Sequence, residues 1–139
     1  MRSFFLGRFA SFGHAFHGWA YVIRHEKNAW IHAVATICVV ILATWLVIPM
    51  RDWAVLVLAI AMVWAAEFLN TSIEAVVDLA SPVHHPLAKV GKDVGAASVL
   101  IAAGAAVLVG LLILGPPLWF RTVAIVSQFW PQALQNVQK

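Results

Sequence analysis

Residues 53–80 read WAVLVLAIAMVWAAEFLNTSIEAVVDLA, a run that contains neither glycine nor proline. Trp53 to Ala66 is apolar throughout, and the remainder keeps apolar spacing while admitting Glu67, Asn70, Thr71, Glu74 and Asp78. A segment with that pattern is one uninterrupted helix, closed by Ser81-Pro82, because the residue before a proline is pushed out of the helical region. At 1.5 Å per residue it is about 42 Å long, more than the roughly 30 Å of a bilayer core. Its acidic half therefore reaches the membrane surface or is shielded by protein.

The rest of the chain fits the same setting. Of 139 residues, 63% are hydrophobic and 11% charged, and the mean hydropathy is +0.88, far from the roughly 25% charged usage of soluble domains. Working outward, Trp30 to Ile48 forms a preceding span closed by Pro49, and Lys92-Asp93 open a following span that runs to Leu114, where Gly115-Pro116-Pro117 predicts a stop. This third span is rich in small residues from Gly95 to Gly110, which let helix backbones approach closely in lipid. Residues 116–139 are too short to span and are expected to lie at the interface. Residues 1–28 place Phe5, Phe9, Phe12, Phe16, Trp19 and Ile23 on one face, with Arg8, His14, His17 and Arg24 off it, as expected of an amphipathic helix lying in the headgroup layer. The Arg- and Ser-bearing, acid-free start superficially resembles a transit peptide, whereas Arg8, His14 and His17 interrupt any secretory apolar region. The expected fold is all-α and integral to the membrane: a surface helix, spans at 30–48, 53–80 and 92–114, and a tail, in one domain.

Net charge is +3, and its placement matters more than its sum, so it does not argue for nucleic acid. Arg2, Arg8, Arg24 and Lys27 precede the first span, and Lys89 and Lys92 lie between the second and third, while the remaining loop has only Arg51. The positive-inside rule puts the N-terminus and the loop from Ser81 to Lys92 in the cytoplasm. Cys38, the single cysteine, lies in an apolar run and reads as a small buried hydrophobe. His14, His17, His25 and the adjacent His84-His85 lack the spacing of a zinc site.

On a helix Glu67, Asn70, Thr71, Glu74 and Asp78 share one stripe about 100° wide. A carboxylate at the centre of a span costs about 2.5–3.5 kcal/mol on insertion scales, so a line of three requires partners. Asn and Thr alone would serve as interhelical glue, but carboxylates need cations, and no Lys or Arg lies within the apolar depth of any span. Magnesium held by one or two carboxylates, with a lysine nearby, is the arrangement phosphoryl transfer uses. Lys92-Asp93 supplies that lysine, and Glu67, about 10 Å deeper than Glu74, is a candidate general base for a lipid hydroxyl. Two other readings stay open from the residues alone: a cation or proton pathway along the carboxylates, and a non-catalytic nucleotide-binding oligomeric scaffold.

EFLNTSIEAVVDLAS followed by HPLAKVGKDVGAASVL resembles the paired signature of the small prokaryotic diacylglycerol kinase and undecaprenol kinase family. Ser11-Phe12, Gly18 and the pattern Glu26-Lys27-Asn28 with His32 fit as well, over about residues 8 to 115. The resemblance implies a homotrimer of three-span subunits in the bacterial cytoplasmic membrane, using ATP and Mg2+ to phosphorylate a lipid alcohol at sites shared between subunits. It implies Glu67 as catalytic base, Glu26 and Glu74 as metal ligands, and Asn70 as the motif asparagine. Lys92 with Asp93 matches the nucleotide-contacting pair, His85 with His84 the loop histidines at the nucleotide, and Asp78 a supporting position. In the surface helix His14 stands where the diacylglycerol kinase branch has a tyrosine near ATP, and Arg8 matches the neighbouring arginine. The VVDLAS and HPLAK wording and the Glu26 to His32 pattern resemble the Gram-positive type, whose usual substrate is undecaprenol.

Overall fold

In the computed structural model the backbone is described for residues 2–137 and side chains for 12–128. The apolar runs fold as helices whose ends lie where backbone chemistry demands them. Helix α1 covers Arg2–His25, α2 Lys27–Leu46, α3 Met50–Ala80 and α4 Pro86–Val137. Among the described residues α2, α3 and α4 are the three helices long and apolar enough to cross a membrane, giving the all-α membrane fold expected.

Helix α1 passes into α2 through one non-helical residue, Glu26, whose extended backbone (φ −97°, ψ 116°) turns the chain while its N–H still donates to Val22 O. The α2–α3 connection is three residues, Val47 to Pro49. Val47 adopts a left-handed conformation (φ 55°), its N–H donating to Thr44 O, and Ile48 N–H donates to Ala43 O, the double closure of a Schellman motif. Pro49 follows with φ −68° and starts α3, so α2 and α3 run antiparallel. At the other end Ser81 N–H donates to Val77 O and its hydroxyl to Val83 O, closing α3 before Pro82.

Two boundaries differ by more than three residues from those read in the sequence. Helix α4 begins at Pro86 rather than Lys92, because proline is favoured in a first helical turn and His85 Nδ1 accepts the N–H of Leu87 there. It also continues through Gly115-Pro116-Pro117 to Val137, where a stop and a separate tail were expected. Contacts on both sides of the prolines explain the continuation. Leu114 is buried with Ala43, Leu46, Ile48 and Leu56, and Leu118 packs against the same cluster. One turn on, Arg121 donates to Trp45 O and lies 4.7 Å over the Trp45 ring. Tertiary contacts thus hold a helix whose local sequence disfavours it. Cys38 is exposed in the single chain rather than buried, on a helix that sequence places in lipid.

The apolar cluster fills the end of the bundle near the α2–α3 turn. The opposite end is polar, and α1 packs beside it: Trp19 meets the rings of Trp64 and Phe68, each at 4.8 Å between centroids. Phe12 and Phe16 on the same helix are exposed.

Candidate functional site

Helix α3 buries Leu56, Val63, Glu67, Asn70 and Thr71 on one stripe. The stripe begins apolar and ends polar, and nothing in helical geometry lets its polar half turn away. Glu67 is 1% exposed, and Thr71 Oγ1 donates back to its carbonyl at 3.0 Å. Its carboxylate faces His32 of α2, with Oε2 3.6 Å from Nε2. Those two atoms are buried and have no hydrogen-bond partner.

One turn toward the α3 C-terminus, Asn70 Nδ2 donates to Glu74 Oε1 at 2.8 Å. Asn70 Oδ1 is buried and unpartnered. It points at Gly95 of α4 so closely that a methyl group on that glycine would lie 2.5 Å from it. The small residue admits the asparagine. Further along, Asp78 Oδ1 pairs with Lys92 Nζ at 2.6 Å, and Asp93 Oδ2 with Lys89 Nζ at the same distance.

The expected residues therefore fall into groups. Glu67 and Asn70, buried, and Glu74, half-buried, form one file on α3, and Glu26 stands at the α1–α2 break. Lys92 joins the file through Asp78, not through its sequence neighbour Asp93. His85 caps α4 from an exposed loop, His84 is exposed beside it, and His14 is exposed on α1. The side chain of Arg8 lies outside the described residues.

Among the described residues no three His, Cys, Asp or Glu converge as a metal cage would require. Glu26 and Glu74 would offer magnesium two carboxylates, the number it takes from protein when waters and phosphates supply its other oxygens. Glu26 stands at the α2 N-cap without making a side-chain capping bond.

From sequence, His32 and Gly95 are named without either gaining a role at the site, and Trp64 is not singled out. The available signal for His32 was its position, an ionisable group inside an apolar span. Trp64 Nε1 donates to Thr36 Oγ1 at 3.2 Å, tying α2 to α3 beside Glu67. Between α1 and α3 lies an open groove of about 550 Å³, walled by Trp19, Trp64 and Phe68 with Gly18, Ala61 and Ala65 between them. It is apolar and lies at the height of Glu67, which is not among its walls.

A buried acidic file beside an apolar groove is site geometry, and comparison with known proteins says which kind. Residues 13–114 match the family model described as prokaryotic diacylglycerol kinase. The chain belongs to the prokaryotic diacylglycerol kinase family. It is 39% identical to the undecaprenol kinase of Bacillus subtilis over 110 residues, covering 79% of this chain and 89% of that protein. With a diacylglycerol kinase of Synechocystis sp. it shares 41% over 109 residues, 78% of this chain and 62% of the relative. With the diacylglycerol kinase of Escherichia coli K12 the figure is 36% over 95 residues, 63% and 78% of the two chains. This member of the family is thus a membrane lipid kinase. The family match ends at Leu114, so the α4 extension beyond the paired prolines lies outside it.

Proposed function

We propose that this kinase transfers the γ-phosphoryl group of ATP to the hydroxyl of a membrane lipid alcohol, undecaprenol in preference to diacylglycerol. The observation that carries the reading is Glu67, a buried carboxylate with one unpaired oxygen at the depth of an apolar groove. A lipid seated in that groove lies at the height of Glu67 within the apolar layer, although Glu67 itself is not among the groove's walls. A soluble nucleotide meets the file from the opposite end, at the half-buried Glu74 and Lys92.

Glu67 takes the proton of the lipid hydroxyl as its oxygen forms a bond to the γ-phosphorus, the bond to the bridging oxygen breaks, and ADP leaves. Asn70 holds Glu74 through its amide and keeps the file in register. Lys92 exchanges Asp78 for a phosphate oxygen, and Asp93 with His85, His84, His14 and Arg8 completes the nucleotide contacts that the family resemblance implies. Magnesium, held by Glu26 and Glu74, would neutralise phosphate charge when bound.

The cation distribution supports a cytoplasmic N-terminus and 81–92 loop in a bacterial inner membrane. Assembly as a homotrimer with shared sites follows the same resemblance. Preference for undecaprenol is supported by the Glu26 to His32 pattern and by the Bacillus subtilis relative, whose length is largely covered. A cation pathway has no such support: the far half of the bundle is packed by Ala43, Leu46, Ile48, Leu56 and Leu114, with no acid on α3 between Asp52 and Glu67.

The test is transfer of label from γ-labelled ATP, with magnesium, to undecaprenol and to diacylglycerol in parallel micelles, with Glu67→Gln as blank. Labelled lipid with a silent variant supports the kinase reading, and the ratio of rates names the lipid. A folded protein that labels neither lipid would overturn it in favour of a nucleotide-binding scaffold.

A further inference from the structure

Two buried polar atoms without partners face each other across the α2–α3 contact. His32 Nε2 and Glu67 Oε2 are 3.6 Å apart, on side chains 13% and 2% exposed. Leaving either unmet in an apolar interior costs the desolvation of a polar group. Their separation is a few tenths of an ångström outside hydrogen-bond range, a gap that catalytic contacts close when substrate binds.

The surroundings fix the height at which His32 meets α3. Thr36, one turn along α2, donates to His32 O at 2.7 Å and accepts Trp64 Nε1 at 3.2 Å. Trp64 in turn lies one turn before Glu67 on antiparallel α3, with its ring 6.4 Å from the His32 ring at an interplanar angle of 70°. Thr36–Trp64 and His32–Glu67 are therefore successive rungs between the same two helices. The first rung is closed, which fixes the relative height of the second.

We propose that His32 is a positioning residue for phosphoryl transfer: its Nε2–H donates to Glu67 and holds the carboxylate toward the lipid hydroxyl. The Nε2–H is present in both the imidazolium and the Nε2–H tautomer of the neutral ring, so the role requires no change of charge. An aimed carboxylate gains rate through orientation, and a misplacement of the reacting group by about 1 Å costs about 100-fold. The inference rests on Glu67 acting as base, and the experiment separates the two.

Turnover would be measured with labelled ATP and lipid in the full-length protein for Glu67→Gln, His32→Leu, His32→Asn and His32→Gln, with KM for both substrates and thermal midpoints alongside. Glutamine can set its amide N–H near the place of imidazole Nε2, whereas asparagine is too short and leucine has no donor. The expected result is a kcat about 10- to 100-fold lower in His32→Leu and His32→Asn, with both KM values unchanged and most of the rate restored in His32→Gln. Wild-type kcat in His32→Leu, with Glu67→Gln silent, overturns the positioning role alone. A His32→Gln variant as slow as His32→Asn overturns it too, and this comparison decides the matter should His32→Leu fail to fold. Wild-type turnover in Glu67→Gln overturns the base assignment, and His32's role with it.

Discussion

Gly95→Ala tests the tightest contact in the candidate site without touching a charged group. The added methyl would lie 2.5 Å from Asn70 Oδ1, 3.5 Å from its Cγ and 3.8 Å from its Cα, where ordinary contact begins at 3.4 Å. The amide can relieve the clash by rotating, which breaks its 2.8 Å bond to Glu74, or α4 can move away from α3. Inserting a methyl into a packed site costs about 1–3 kcal/mol, and alanine returns about 1 kcal/mol of helix propensity over glycine. The net loss of stability is then about 1 kcal/mol, small enough for the protein to fold. Activity is far more exposed, since displacing Asn70 and with it Glu74 by about 1 Å costs about 100-fold in rate. Gly91→Ala is the control on the same helix: its methyl meets only Val77 Cγ2 at 3.6 Å, so it keeps its rate and melts no lower. The assay is lipid phosphorylation in micelles alongside thermal unfolding followed by circular dichroism. If Gly95→Ala turns over at the wild-type rate, the Asn70–Glu74 contact does not set the geometry of the site.

Val47→Gly should raise stability by about 0.5–1 kcal/mol, since a β-branched residue in the left-handed region costs about 1–2 kcal/mol and glycine's added chain entropy offsets part of the gain. Val47 is 80% exposed and loses little packing, so a lower unfolding midpoint would contradict the strain argument. Lys92→Met should lower kcat by about 100-fold, while Asp78→Asn, which frees the same lysine, should keep kcat; equal losses in both would show that the ion pair, not the free lysine, matters. Arg121→Ala removes the contact with Trp45 and should speed amide exchange in residues 118–128 with phosphorylation unchanged; unaltered exchange would mean the extension holds by itself.

The file on α3 was legible because helical spacing is local: Glu67, Asn70, Glu74 and Asp78 must share a face once the run lacks helix breakers. Cross-helix partners were not legible. Lys92 stands next to Asp93 in the chain, yet side chains one residue apart on a helix diverge by about 100°, and Lys92 reaches Asp78 of α3 instead. His32 was visible only as a letter in a pattern, because its meeting with Glu67 depends on the height at which α2 packs against α3, set by Val47 and Pro49 at their turn. Gly95 was noted among many small residues, and only the α3–α4 approach distinguishes it. The Gly115-Pro116-Pro117 stop failed for a related reason. Local chemistry disfavours a helix there, but Leu118 and Arg121 find partners on α2 that only the folded chain provides.

Continuity of the α3 stripe is the strongest physical reason to assign these carboxylates chemical work. Leu56 and Val63 are followed on the same face by Glu67 and Asn70, so the surface that seals the bundle at one end carries acid at the other. Rotating the helix to bring Glu67 to the outside would expel Leu56 from the cluster it forms with Leu46 and Leu114, losing about 1.5–3 kcal/mol of burial. The apolar end therefore acts as a fixed bearing for the polar end. Glu67 is held where it contributes nothing to packing that a leucine would not contribute better, its Oε2 3.6 Å from a histidine nitrogen.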